Sequence, residues 1–364
     1  MSLLAAACGS EQSSADGAGG DVASASASES PDTESLTSSS QAGEETPAAS
    51  TTSAADTGDD TRVVETAFGQ VEIPVDPQRV IALDEYAAMN IVAVGLEPTA
   101  IVGSPFASLV SQDILADLGV AVGGQSETSG PGFFNFEAIA AAEPDVIVLT
   151  ADAAQVPDVE TLMEIAPAVV LPYNAPWRDV VGDTGEVFGR TDEAEQVIGA
   201  LQQRIDEVSD VVADNPLSLS ILGEGFGILF AVGPEGVLSA VVDEVGIDRP
   251  AAQAEGEMMP GAEPFIGISP EVIGDHDADI VAVMSGAFYR EEALLDVPTY
   301  QTLPAVEAGN SVIVDGDMWF GTHPFAVFWI LEDLANLAAG QGADGIGDLS
   351  DVPARWEAYQ AVVG

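Results

Sequence analysis

The spacing of hydrophobic and polar positions divides the chain into two regimes that meet near Arg62. From Gly9 to Thr61 the residues are Ser, Ala, Thr, Gly and acid, without an aromatic and with only Val22 and Leu36 as larger aliphatics. Such a segment has too little apolar surface to offset the entropy of ordering, so residues 9–61 are expected to form a disordered acidic tether. Beyond it, short β-branched runs alternate with helical segments, the pattern of βαβ units. Val80-Ile81-Ala82-Leu83, Asp145-Val146-Ile147-Val148-Leu149 and Val169-Val170-Leu171 read as buried parallel strands. Helices are expected between them at about residues 85–94, 112–118, 135–142 and 158–166. These elements complete an N-terminal α/β lobe over residues 62–190.

A longer periodic segment follows. Ala194, Val197, Ile198, Leu201, Ile205, Val208 and Val212 keep helical spacing without a break, from an expected N-cap at Thr191 to the stop at Asn215-Pro216. At 1.5 Å per residue this helix, over 191–214, is roughly 33 Å long, enough to bridge two lobes. After it the alternation resumes as a second α/β lobe over 215–364, and the sequence echoes itself. Glu137, Ile139 and Asp145-Val146-Ile147 recur at identical spacing as Glu271, Ile273 and Asp279-Ile280-Val281. Val94-Gly95-Leu96-Glu97 likewise recurs as Val245-Gly246-Ile247-Asp248. Two echoes in the same order predict two related Rossmann-like lobes joined by one bridging helix.

Charge removes whole function classes. The chain carries 61 acidic residues against eight basic ones, all Arg, for a formal net charge of -53. Nucleic acid and anionic membrane surfaces both require cationic stripes, so neither is an expected partner. Eleven of the acids and none of the arginines lie in residues 9–61, so the folded region is itself acidic. Self-repulsion of that size fades only where the Debye length is short, which predicts a halophilic protein.

The N-terminus supplies the localisation signal. Leu3-Leu4-Ala5-Ala6-Ala7-Cys8-Gly9-Ser10 resembles a bacterial lipobox, with Cys8, the only cysteine, as the lipidated residue. Ala5 stands where Leu is commonest, and the basic region and most of the apolar core of a signal peptide are missing, so residues 1–8 read as its truncated end. The membrane is expected to be reached only through this anchor, on its outer face.

Ligands of open α/β sheets sit beyond the carboxyl ends of the strands. In the first lobe those positions hold Glu85 and Tyr86, Ser104 to Phe106, and Tyr173 to Arg178 including Trp177, while the Gly130-to-Phe134 loop brings Phe133 to the same edge. In the second they hold Phe226, Tyr289, Arg290, Trp319 and Phe320. Aromatic faces can grip a bulky, partly apolar ligand, and Arg178 and Arg290 could donate to its oxygens. The expected ligand-binding set is Tyr86, Phe133, Trp177, Arg178, Phe226, Tyr289, Arg290, Trp319 and Phe320.

Three stretches carry a family resemblance: Arg79-Val80-Ile81-Ala82-Leu83 leading to Val94-Gly95-Leu96, Phe136-Glu137-Ala138-Ile139 before Glu143-Pro144-Asp145-Val146-Ile147, and Leu303-Pro304-Ala305-Val306-Glu307-Ala308-Gly309-Asn310-Ser311-Val312 ahead of a Trp-containing loop. From about Arg62 onward the chain resembles the periplasmic binding proteins that serve ABC importers of ferric siderophores, haem and cobalamin. The resemblance implies two α/β lobes on a stiff helix, an iron chelate as ligand, no cofactor beyond the Fe(III) that the ligand carries, and permease and ATPase subunits as partners of a monomer. It also implies docking on the permease through one exposed acid per lobe. Asp243 or Glu244 matches in the second lobe; in the first the usual position holds Met89, and Glu85, one turn earlier, is the candidate replacement.

Rival readings have less support. His276 and His323 are the only histidines, too few for His-rich ligation of zinc or manganese, and capping or solvent exposure accounts for both. Gly223-Glu224-Gly225-Phe226-Gly227 lacks the third glycine of a dinucleotide site and reads as a turn, and no nucleophile and base are paired in sequence, so no enzyme activity is expected. The negative field disfavours a trianionic catecholate complex unless Arg178, Arg290 and Arg249 cluster, which points to a neutral or cationic hydroxamate; cobalamin and haem stay open, as does a structural or adhesive surface lipoprotein.

Overall fold

Five strands of one sheet run parallel in the order β5-β4-β3-β6-β7: β3 (Val80–Ala82), β4 (Ala100–Val102), β5 (Ala121–Gly123), β6 (Val146–Ala151) and β7 (Ala168–Pro172). The computed structural model describes residues 61–66, 68–102, 108–123, 134–151, 159–173, 175–262 and 264–364. The expected lipobox with Cys8, nearly all of the tether, and Phe133 lie outside the described residues. An antiparallel hairpin, β1 (Thr61–Thr66) with β2 (Gly69–Pro74), precedes the sheet. Helices α1 (Glu85–Ala93), α2 (Leu109–Asp117), α3 (Phe136–Ala141) and α4 (Val159–Ile165) connect its strands, and α5 (Trp177–Phe188) follows the last. The strands are near-continuous apolar runs because both faces are covered by helices.

The second sheet has the order β10-β9-β8-β11-β12, from β8 (Leu219–Gly225), β9 (Ile228–Val232), β10 (Phe265–Gly267), β11 (Ile280–Ser285) and β12 (Ser311–Asp315). Here β8, β11 and β12 are parallel, but β9 turns back antiparallel to β8 through a tight turn at Phe226-Gly227. The second lobe is thus a mixed sheet. Both sequence echoes mark equivalent structural devices. Asp145 accepts from the backbone N–H groups of Gln78 and Arg79 at the start of β3, and Asp279 accepts from Ser218 at the start of β8. Ile139 and Ile273 are both fully buried. Gly95 and Gly246 both take left-handed backbone angles, φ 76° and 80°, where their helices end.

Between the sheets runs α6 (Thr191–Asp214), of 24 residues, burying Ala194, Val197, Leu201, Ile205, Val208 and Val212. Thr191 lies inside the helix rather than capping it, and Arg190 precedes it without a side-chain cap. The remaining helices are α7 (Val237–Glu244), α8 (Ala251–Ala254), α9 (Glu291–Leu295), α10 (Pro298–Gln301), α11 (Pro304–Glu307), α12 (Gly316–Trp319), α13 (Pro324–Ala338) and α14 (Val352–Val363). A second connection runs beside α6. Helix α13 packs on α6, on α1 of the first lobe and on α7 of the second, and α14 returns to α6 and α2. The C-terminal helix therefore contacts the first lobe, across the boundary expected at residue 215. One continuous apolar core runs through both lobes by way of α6 and α13, so hinge motion between them would break close packing.

Candidate functional site

Asp84, just past β3, organises the first lobe's edge. Its Oδ1 accepts from Ala87 N–H at 2.8 Å, capping α1, and its Oδ2 accepts from Thr150 N–H near the end of β6 at 2.7 Å. Burial pushes this carboxyl up to about 6. The cap directs Tyr86, in the first turn of α1, toward the seam between the lobes, where its ring centre lies 5.9 Å from Tyr173 after β7 and 6.0 Å from His323 before α13. Asn90, one turn further on, donates to the Thr322 carbonyl at 3.0 Å and stitches the lobes together.

The second lobe contributes Tyr289, whose backbone bridges to Gly225 at the end of β8. Its ring lies against Gly316, where an added Cβ would come within 2.5 Å of Tyr289 Cδ2, so only glycine lets the ring cover the Asp315-Gly316-Asp317 turn. Asp317 Oδ2 accepts from Ala287 N–H at 2.9 Å; burial, reinforced by the neighbouring Asp315, pushes the Asp317 carboxyl up to about 6. The hydroxyls of Tyr86, Tyr173 and Tyr289 are all raised above their ordinary value by burial and then by surrounding phenols and carboxylates. They are neutral donors and acceptors at physiological pH. Phe320 stacks on Phe265 at 4.9 Å beside them, and Tyr173, Phe320 and Thr322 line one small cavity.

At the rim, Phe226 is 82% exposed with φ 54°, a conformation that strains a non-glycine residue, and stacks on Phe288 at 5.9 Å. Beside it Arg290 donates bidentately to Glu224, Nε to Oε2 at 2.9 Å and Nη2 to Oε1 at 3.0 Å. The exposed guanidinium is thereby neutralised, and the Glu224 carboxyl is held below its usual range chiefly by that bond.

Several expected site residues are elsewhere. Trp177 and Trp319 are 1% and 0% exposed; both are core residues, because a large indole following a strand is drawn beneath the adjoining helix. Trp319 donates its indole N–H to Asp333 at 2.8 Å. Arg178 stacks over the Trp177 ring and is held by Glu244, at 2.9 and 2.7 Å, and by Gln202. It joins α5, α6 and α7 beside a surface groove instead of offering donors to a ligand. Arg249 is likewise spent on the backbone carbonyls of Val232 and Gly233 and on Gln253, so the three arginines form no cluster. Glu85 is 2% exposed and accepts from Ser108 N–H, which removes it as an exposed docking acid. His276 is buried rather than solvated, whereas His323 Nδ1 caps α13 through Ala326 N–H. The strand-end rule reaches Tyr173 without separating it from Trp177, and no sequence pattern marks Asp315 or Asp317.

Ionisation at this edge sets a pH dependence. Asp84 and Asp317 have folded values of about 6 against an ordinary 3.8, so the folded chain binds more protons between those values and loses stability as pH rises through them. The loss is roughly 2–3 kcal/mol per group. Carboxyls lowered by hydrogen bonds, such as Asp145 and Glu224, act in the opposite sense only below about pH 4. Urea midpoints should therefore fall from pH 4.5 to 7, and less steeply in Asp317→Asn.

Two α/β lobes, with strand ends meeting across an aromatic seam and held by helices that leave them little freedom, define the architecture of a two-lobed binding protein. The chain belongs to the periplasmic binding protein family, which it matches over residues 94–318. It is 26% identical over 295 residues to the ferric-anguibactin-binding protein FatB of Vibrio anguillarum, covering 71% of this chain and 81% of that protein. It is 24% identical over 277 residues to the probable siderophore-binding lipoprotein YfiY of Bacillus subtilis, covering 71% and 82%. Both relatives are binding proteins. Staphylococcus aureus SirA, solved in complex with staphyloferrin B, shares the fold with a TM-score of 0.62 at 19% identity, covering 77% of this chain and 99% of that one. Among the described residues no helix is long and apolar enough to cross a membrane, and no three His, Cys, Asp or Glu side chains gather as metal ligands.

Proposed function

We propose that the chain is an extracytoplasmic solute-binding lipoprotein, anchored through Cys8, that captures a ferric siderophore between its lobes and delivers it to an ABC permease. The observation that carries this reading is the convergence of Tyr86 and Tyr173 from one lobe with Tyr289, Phe320 and the exposed Phe226 from the other at the strand ends. That the ligand carries iron is inferred from the ferric-anguibactin-binding and siderophore-binding relatives. A seam of neutral phenols flanked by carboxylates, with its one arginine already paired, favours a neutral or cationic hydroxamate over an anionic catecholate.

Calorimetric titration of the full chain in molar sodium chloride with ferric hydroxamate, ferric catecholate, haem and cobalamin tests this. A ferric chelate should bind saturably at micromolar concentration or below. Tyr86→Ala and Phe226→Ala should each weaken it about tenfold or more, in line with the loss of one desolvated aromatic contact. Absence of binding by all four, with the chain folded, would withdraw iron uptake in favour of a structural or adhesive role.

Asp243 is the docking acid that remains available in the second lobe, since it is exposed while Glu244 is engaged by Arg178. Reversing its charge with Asp243→Arg should weaken stimulation of the reconstituted transporter's ATPase and leave chelate affinity unchanged; unaltered stimulation would exclude it.

A further inference from the structure

The charges around the seam are one-sided. Asp84, Glu85, Asp315 and Asp317 sit at the strand ends that flank the tyrosines, and Glu224 is matched by Arg290. All eight arginines of the chain are committed within the fold: Arg62 to the Val75 carbonyl, Arg249 to Val232, Gly233 and Gln253, and the other six to carboxylates. His323 adds no charge, for burial lowers its imidazole to about 3.

Most of these carboxylates are already occupied. Asp84 uses both oxygens inside the first lobe, Glu85 accepts from Ser108 N–H, and Asp315 Oδ1 caps α12 through Met318 N–H. Asp317 differs: Oδ2 takes the Ala287 N–H, while Oδ1 has no partner among the described residues. It stands beside the Tyr289 ring, and its charge is felt at both Tyr86 and Tyr289. Tyr86 and Tyr173 are tilted at 39° to each other rather than stacked, and Tyr289 comes to the same edge from the second lobe.

Ring faces on several sides, hydroxyl oxygens able to accept, and one carboxylate oxygen left free are what an organic ammonium group requires. We propose that the seam is a cage for a protonated amine of the ligand, walled by Tyr86, Tyr173 and Tyr289, with Asp317 as its counter-ion. This rests on the reading that the cleft takes a ferric chelate, and narrows that class to chelates bearing a cationic side arm. The occupant replaces the missing positive charge, which explains why a carboxylate can stay in a desolvated aromatic seam without an arginine beside it.

The test uses the full chain in molar sodium chloride at pH 7.5 with two probes: a ferric trishydroxamate carrying a pendant primary amine, and the same chelate N-acetylated. The iron coordination is identical and only the side-arm charge differs. The amine form should bind roughly 30-fold more tightly, the ratio expected of a desolvated cation over aromatic faces. Asp317→Asn should bring the two affinities together; because both probes meet the same protein, incomplete folding of the variant does not alter the ratio. Equal affinities in the unsubstituted chain, or a preference that survives Asp317→Asn, overturn the cage and leave the chelate reading standing. Failure of both probes to bind overturns the hydroxamate reading and the cage with it.

Discussion

Arg355→Ala should destabilise the protein by about 3–5 kcal/mol, the range for removing one partner of a buried ion pair. Arg355 on α14 donates to Asp333 Oδ1 at 2.6 Å, and Asp333, 0% exposed on α13, also accepts from Trp319 Nε1 and from Gly347 N–H. The guanidinium further covers the Trp329 ring at 4.3 Å. Without it a carboxylate stays buried with two neutral donors, and burial already presses Asp333 toward protonation. The network joins α12, α13 and α14, and α12 carries Trp319 next to Phe320 of the seam. A drop of about 5–10 °C in Tm should accompany the loss. The pair Asp333→Asn with Arg355→Met should recover part of it, because no unpaired charge remains. A single-variant change below about 1 kcal/mol in denaturant unfolding would show the pair to be no anchor.

Lowering sodium chloride from about 1 M to 10 mM should have an effect of the same order as the whole stability, about 5–15 kcal/mol. The Debye length lengthens from roughly 3 to 30 Å over that range, so repulsions between most surface carboxylates become unscreened. The folded region holds 50 of the 61 acids and all eight arginines, six of which pair with carboxylates and two with backbone carbonyls. Nothing cationic is left over to offset the remainder. Circular dichroism of the full chain should show cooperative unfolding on dilution from salt, reversed by restoring it, and not prevented by an equal osmolality of sucrose. Retention of the folded spectrum at 10 mM would mean that the acids are spaced widely enough to tolerate their mutual field.

The composition of the chain and the periods of its apolar residues determined a good deal. The stripe from Ala194 to Val212 could only be one long amphipathic helix, since its spacing is fixed locally by 3.6 residues per turn. The paired echoes at Asp145 and Asp279 marked two lobes of similar construction, because the same helix-to-strand junction needs the same acceptor for the neighbouring strand's first N–H groups. Strand-end positions led to Tyr86, Phe226, Tyr289 and Phe320 for a similar reason: sheet topology brings carboxyl ends to one edge whatever the details of packing.

What happens after a strand ends is another matter. Trp177 and Trp319 occupy strand-end positions as fully as Tyr173 and Phe320, yet their indoles turn inward, because the direction of a side chain on the first turn of a helix depends on which neighbour covers it. Arg178, Arg249 and Arg290 were equivalent as charges in the sequence. Their partners, Glu244, the Val232 and Gly233 carbonyls, and Glu224, are set by long-range contact, and only those contacts reveal that the seam has no uncompensated cation. The same holds for Glu85, whose place in the first turn of α1 is compatible with exposure until Ser108 is folded onto it. Local periodicity thus determined the elements and their order, whereas the tertiary structure decided which side chains face the ligand, because burial is a property of two surfaces meeting and no single segment carries both.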